Sequence, residues 1–169
     1  MAVFHYTIEL LPFDDAGKFA RIMHERTTDE SRTLVWDSQP SESSLRELRS
    51  LLPIDTSWGP CEEYVSSVDT WNSDLRIWHH DVQRKNVESI IFRLSAVAFP
   101  AQLIARIVAI ANGNYWQIGA MESQCVFPPS AENIIEDFRK SRAARFLEDP
   151  ESVMIEASQS IDRNRDRQV

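Results

Sequence analysis

Glycine is scarce in this chain, with only 4 among 169 residues. That shortage excludes the glycine-rich loops that wrap nucleotide phosphates, because close backbone approach and positive φ angles both need glycine. Cysteine is equally sparse. Cys61 and Cys125 stand far apart and form no CxxC pair, which argues against a disulfide framework and a thiolate zinc site. Both thiols are expected to be reduced and at least partly buried, with Cys125 as a core residue in an apolar strand. Neither a G-x-S-x-G elbow nor an H-E-x-x-H helix occurs, so two common catalytic signatures are missing.

Long hydrophobic runs are also absent. The most apolar stretch, 97–111, is broken by Gln102 and Arg106 and falls short of the roughly 18 residues a membrane span needs. The opening residues lack the basic start, apolar core and small-residue cleavage site of a signal peptide. No membrane association and a cytoplasmic location are therefore expected. There is no basic run, and the net charge is −8. Such a molecule repels phosphate backbones, so nucleic acid is not an expected partner, whereas a basic protein is electrostatically permitted.

What is present suits an ordinary globular domain: 43% hydrophobic and 26% charged residues. Residues 1–150 read as one domain with a sub-boundary at 53–73. The segment 151–169 is rich in alternating charge and reads as a poorly ordered tail. Within the domain, Phe4, Tyr6 and Ile8 alternate with polar residues as in a strand. Asp14 or Asp15 can cap a helix carrying Phe19, Ile22 and Met23, and 33–36 is a short strand candidate. Ser41 or Ser44 opens a helix with Leu45, Leu48 and Leu52 on one stripe, ended by Pro53. Residues 54–73 read as a long connection in which only 64–68 has weak strand character.

From Asp74 the pattern sharpens. Leu75, Ile77 and His79 share one strand face and Arg76, Trp78 and His80 the other. Val87–Val97 pairs with this strand as a hairpin. Pro100 begins a helix with Leu103, Ile104, Ile107, Val108 and Ala111 on one stripe. A second hairpin at 115–127 and a helix capped by Ser130 follow. The order predicts an α+β fold: an antiparallel sheet of hairpins with helices packed on one face, roughly ferredoxin-like.

Three groups of residues invite a chemical reading. His79-His80-Asp81 combines imidazole and carboxylate, but strand alternation sends the two histidines to opposite faces, so they cannot easily share a metal. His80 with Asp69 or Asp74 and Glu62 would make an acid–base or metal site only if the connection folded them together. Cys61 beside Glu62 and Glu63 is a poor nucleophile, because carboxylates raise a thiol's pKa. The sharpest asymmetry is electrostatic. Residues 55–81 hold six acidic side chains against Arg76 alone, and Trp58, Trp71 and Trp78 lie within the same segment. Such a patch either keeps a loop solvated or steers a basic partner. Tryptophan is enriched at binding hot spots, and Trp58 and Trp71, in polar surroundings, are the two expected to be exposed.

Thr56-Ser57-Trp58, Trp71, the strand Leu75-Arg-Ile-Trp ending at Asp81, the run Val87–Leu94 and Ser141-Arg-Ala-Ala-Arg-Phe-Leu-Glu-Asp-Pro resemble those of small bacterial proteins without an assigned activity. The resemblance spans about residues 45–150 and implies an α+β fold, with no catalytic residue to carry over. The reading that results is a non-enzymatic, immunity- or antitoxin-like module without a cofactor. It would dock a basic protein through Trp58, Glu62, Glu63, Asp69, Trp71 and Asp74. The alternatives are a small metal-dependent hydrolase centred on His80 and a small-ligand-binding protein. An exposed sheet surface carrying Trp78 or Trp116 would also permit a homodimer.

Overall fold

Strand β1 (His5–Pro12) lies inside the sheet, where its alternation defines two surfaces. Tyr6, Ile8 and Leu10 point one way and are fully buried; Thr7, Glu9 and Leu11 point the other. The computed structural model describes residues 5–13, 36, 38–67 and 72–154. The expected helix near 14–26, residues 33–35 of the strand candidate 33–36, Asp69, Trp71 and residues 155–169 of the expected tail 151–169 lie outside them.

After β1 come α1 (Glu42–Arg49), β2 (Ile54–Asp55), β3 (Cys61–Val65), β4 (Asp74–His79) and β5 (Val87–Ser95). Then follow α2 (Ala101–Gly113), β6 (Trp116–Ala120), β7 (Cys125–Phe127), α3 (Ala131–Lys140) and α4 (Arg142–Glu148). The seven strands form one sheet in the order β2-β3-β4-β5-β1-β6-β7. Every neighbouring pair is antiparallel. The α+β class is therefore established.

Register explains the core. Ile8 stands opposite Phe92, which stands opposite Leu75; Leu10 stands opposite Ile90, which stands opposite Ile77. These rows make a continuous apolar surface, called here the inner face. Leu45 and Leu48 of α1, Leu103, Ile104 and Ile107 of α2, and Ile134 of α3 join the same cluster. Each helix obtains its stripe from i, i+3, i+4 spacing. Ser41 accepts a hydrogen bond from the Ser44 amide and Ser130 one from the Asn133 amide, satisfying otherwise orphaned N–H groups at the starts of α1 and α3. Trp36 is buried edge-on to Trp116, with ring centroids 5.2 Å apart.

Two expectations need correction. The segment 54–73 is not only a connection, because β2 and the whole of β3 come from it and extend the sheet beyond β4. Cys125 is exposed rather than part of the core. It lies on β7, a terminal strand of three residues with a neighbour on one side only. Ser141 caps α4 as a helix separate from α3. Residues 150–154 are also helical, and Val153 is buried.

Candidate functional site

The acidic, tryptophan-containing segment forms the β2–β3 hairpin and the adjoining strand β4. Trp58 and Cys61 exchange two backbone hydrogen bonds, each 2.9 Å, around a tight turn at Gly59-Pro60. Gly59 has φ +49°, a conformation that a Cβ would strain. Arg84 braces the turn by donating to the carbonyls of Gly59 (3.2 Å) and Cys61 (3.4 Å). Trp58 therefore stands at the tip, 53% exposed. Its ring meets Trp78 edge to face at 5.4 Å.

Strand alternation then separates two adjacent carboxylates. Glu62 pairs in register with Ile77 and faces inward, whereas Glu63 pairs with Arg76 and faces the opposite, outer surface. Glu62 is only 3% exposed. Arg49, from the last turn of α1, reaches it with two parallel bonds, Nε to Oε2 at 2.7 Å and Nη2 to Oε1 at 2.9 Å. His79 Nε2 lies 2.7 Å from Oε1, and the Tyr64 hydroxyl donates to Oε2 at 3.1 Å. Burial alone would raise this carboxyl's pKa, but the Arg49, His79 and Tyr64 donors outweigh it and hold it at about 2. Tyr64, buried and beside that carboxylate, is pushed up to about 12.

The outer surface carries a chain of ion pairs. Glu63 Oε1 accepts from Arg76 at 2.7 Å. Asp74, completely buried, lies 3.4 Å from Arg76 and accepts from Arg93 at 2.7 to 2.9 Å. Thr56 Oγ1 also donates to Glu63 Oε2 at 3.1 Å. Among the described residues, three acidic groups of 55–81 (Glu62, Glu63 and Asp74) thus have arginine partners, and two of those partners, Arg49 and Arg93, come from outside the segment. Asp55 remains exposed at the hairpin. Hydrogen bonds from the Ser57 hydroxyl and amide keep its carboxyl below the usual carboxylate range.

These positions also bear on the catalytic alternatives. His80 is exposed and hydrogen-bonds Glu88 at 3.1 Å. Glu62 and Asp74 bind other partners on opposite surfaces of the sheet, so His80, Glu62 and Asp74 are not brought together. Among the described residues no group of three His, Cys, Asp or Glu side chains could hold a metal ion. Cys61 is fully buried, and burial pushes its thiol up to about 11. The inner-face cluster of Arg49, Glu62, Tyr64 and His79 was not legible in advance, since Arg49 and His79 show no local pattern that singles out Glu62 as their partner. No helix among the described residues is long and apolar enough to cross a membrane. No protein-family model matches this chain, and neither a curated protein nor a solved structure is significantly similar to it.

Proposed function

We propose that the protein is a non-enzymatic, immunity- or antitoxin-like binding module that docks a basic protein through the β2–β3 hairpin, with Trp58 as the anchor. The observation that carries this reading is Trp58 itself: a large aromatic ring, half exposed at a turn braced by Arg84 and backed by Trp78. Binding energy concentrates on such rigid aromatic anchors because they bury much area at little entropic cost. Asp55 and Glu63 flank the anchor and, with the net charge of −8, favour a basic partner. Glu62 and Asp74 serve differently in this reading. Their arginine pairs fix β3 and β4, and so hold the hairpin rather than touch the partner. Asp69 and Trp71 are part of the proposal as members of the acidic segment 55–81 in sequence.

The strand order β4-β5-β1-β6, with α2 crossing between β5 and β6, supports reading the centre of the sheet as ferredoxin-like and the β2–β3 hairpin as an addition to it. An appended hairpin is a natural place for recognition, since the central core does not depend on its tip. The test is affinity capture from lysate of the source organism with the wild-type chain and with Trp58→Ala, at low salt and at about 1 M salt, where charges are screened within ~3 Å. A basic protein held by the wild type, and lost both at high salt and from the variant, is the expected result. Identical proteins retained by wild type and variant would overturn the proposal.

A further inference from the structure

A groove of about 980 Å³ opens at the end of the sheet where β3 and β5 finish and α2 begins. Its walls are apolar, with Leu51, Leu52, Val97 and Leu103 among them. Its polar side chains are four serines, Gln102 and Arg106. Ser66, Ser73 and Ser95 line it as a relay across the three strands: the Ser66 hydroxyl accepts from the Ser73 amide (2.9 Å), the Ser73 hydroxyl from the Ser95 amide (3.0 Å), and the Ser95 hydroxyl from the Ala98 amide (3.3 Å). Each oxygen is thus occupied as an acceptor, and no acceptor among the described residues takes the proton of any of the three. Ser73 and Ser95 are 4% and 3% exposed, so each donor meets the groove over only a small opening. A buried donor without an acceptor is costly, and a ligand oxygen would relieve it.

The charge of the groove points the same way. Arg106 lines it and spends two of its N–H groups on the carbonyls of Leu51 (3.4 Å) and Ser50 (3.2 Å), leaving others of its five donors free. No acidic side chain is among the described lining residues, although acidic residues outnumber basic ones 26 to 18 in the chain. A cavity with apolar walls, surplus donors and a single positive charge selects an acceptor-rich anionic head on an apolar body. We propose that this groove binds a small organic carboxylate with an apolar body, its oxygens taking the serine O–H groups and Arg106. The site is independent of the Trp58 surface.

The test uses the full ¹⁵N-labelled chain, titrated with sodium octanoate and, separately, with 1-octanol, which has the same carbon chain without the charge. Saturable amide shifts confined to Ser66, Ser73, Ser95–Ala98 and Ala101–Arg106 are expected. Octanoate should bind at least ~10-fold tighter than octanol, the order of one charge-assisted hydrogen bond. Arg106→Gln changes an exposed position and should weaken octanoate by ~10-fold while leaving octanol within about 2-fold. Ser73→Ala should weaken octanoate as well, with its folding read from the same spectrum; if it does not fold, Arg106→Gln alone decides. Shifts that are absent or scattered up to about 10 mM, equal affinity for octanol, or an unchanged Arg106→Gln would each overturn the proposal.

Discussion

Glu62 and Glu63 are neighbours on β3, and strand alternation turns one toward Arg49 and His79 on the inner face and the other toward Arg76 on the outer face. The chemistry of the two side chains is the same. The difference is that Glu62 has traded its water for four donated hydrogen bonds, whereas Glu63 keeps a half-wet ion pair whose side chains are 16% and 30% exposed. A run of acidic residues is therefore not one electrostatic object. In this protein one carboxylate fastens α1 to the sheet and its neighbour belongs to a cross-strand chain of charges on the other surface.

Removing the inner carboxylate should have the largest effect. Glu62→Leu leaves His79, Tyr64 and Arg49 facing an apolar side chain, although Arg49 is 28% exposed and keeps Glu42 at 2.9 Å; breaking a fully buried pair typically costs about 3–5 kcal/mol, and the loss here should fall toward the lower end. Urea unfolding of the variant should show that loss, and Arg49→Leu combined with Glu62→Leu should recover part of it, because the uncompensated charge is then gone. The pair also sets an acid limit. The carboxyl sits at about 2 in the folded chain against 4.5 as its ordinary value. Its stabilisation is thus complete above pH 4.5 and is lost as the pH falls through 2. Glu62→Gln should lack that part of the acid-induced loss of stability; a variant whose loss follows the wild type would show that the pair contributes nothing.

The two cysteines sharpen the contrast between the sheet's interior and its edge. Cys61, paired across the strands with Trp58 and Trp78, is fully buried, and burial pushes its thiol up to about 11, so it holds far less thiolate than an unperturbed thiol. Cys125 is exposed on the terminal strand β7. One thiol should react promptly with a disulfide reagent in the native protein and the second only on unfolding, when peptide mapping should place the fast label on Cys125. Prompt labelling of both would show that the Trp58 hairpin opens readily and does not form the rigid platform that docking requires.

The strongly periodic parts of the fold were readable from the chain. Leu75, Ile77 and His79 alternate as a strand must, and the stripe of Leu103, Ile104 and Ile107 places α2 on the core. The β2–β3 hairpin was harder to see. Cys61-Glu-Glu-Tyr-Val carries two adjacent carboxylates, which depress strand propensity, and the arginines that make them tolerable approach from α1 and β4. The local charge count failed for the same reason: Arg49 and Arg93 lie outside the window in which the acids were counted. Cys125 misled because a short apolar strand reads as buried unless its place at the sheet's end is known. Trp58 is exposed as its polar surroundings suggest, while its support from Trp78 and Arg84 is purely tertiary.

The outer pair should be the weak member of the comparison. Glu63→Gln keeps the shape and a hydrogen-bond acceptor for Arg76 and leaves Asp74 near that guanidinium at 3.4 Å. The expected loss is therefore within the ~0.2–1 kcal/mol of partly exposed ion pairs. Salt separates the two positions further. At about 1 M salt the screening length is ~3 Å, so the difference between wild type and Glu63→Gln should nearly vanish, while that between wild type and Glu62→Leu should mostly persist, because the Glu62 carboxylate itself is only 4% exposed although Arg49 is 28% exposed. If Glu63→Gln instead cost as much as Glu62→Leu at low salt and kept that cost at high salt, the outer ion-pair chain would have to be as well excluded from solvent as the inner one. Glu63 would then belong to the framework of the sheet rather than flank the Trp58 docking surface.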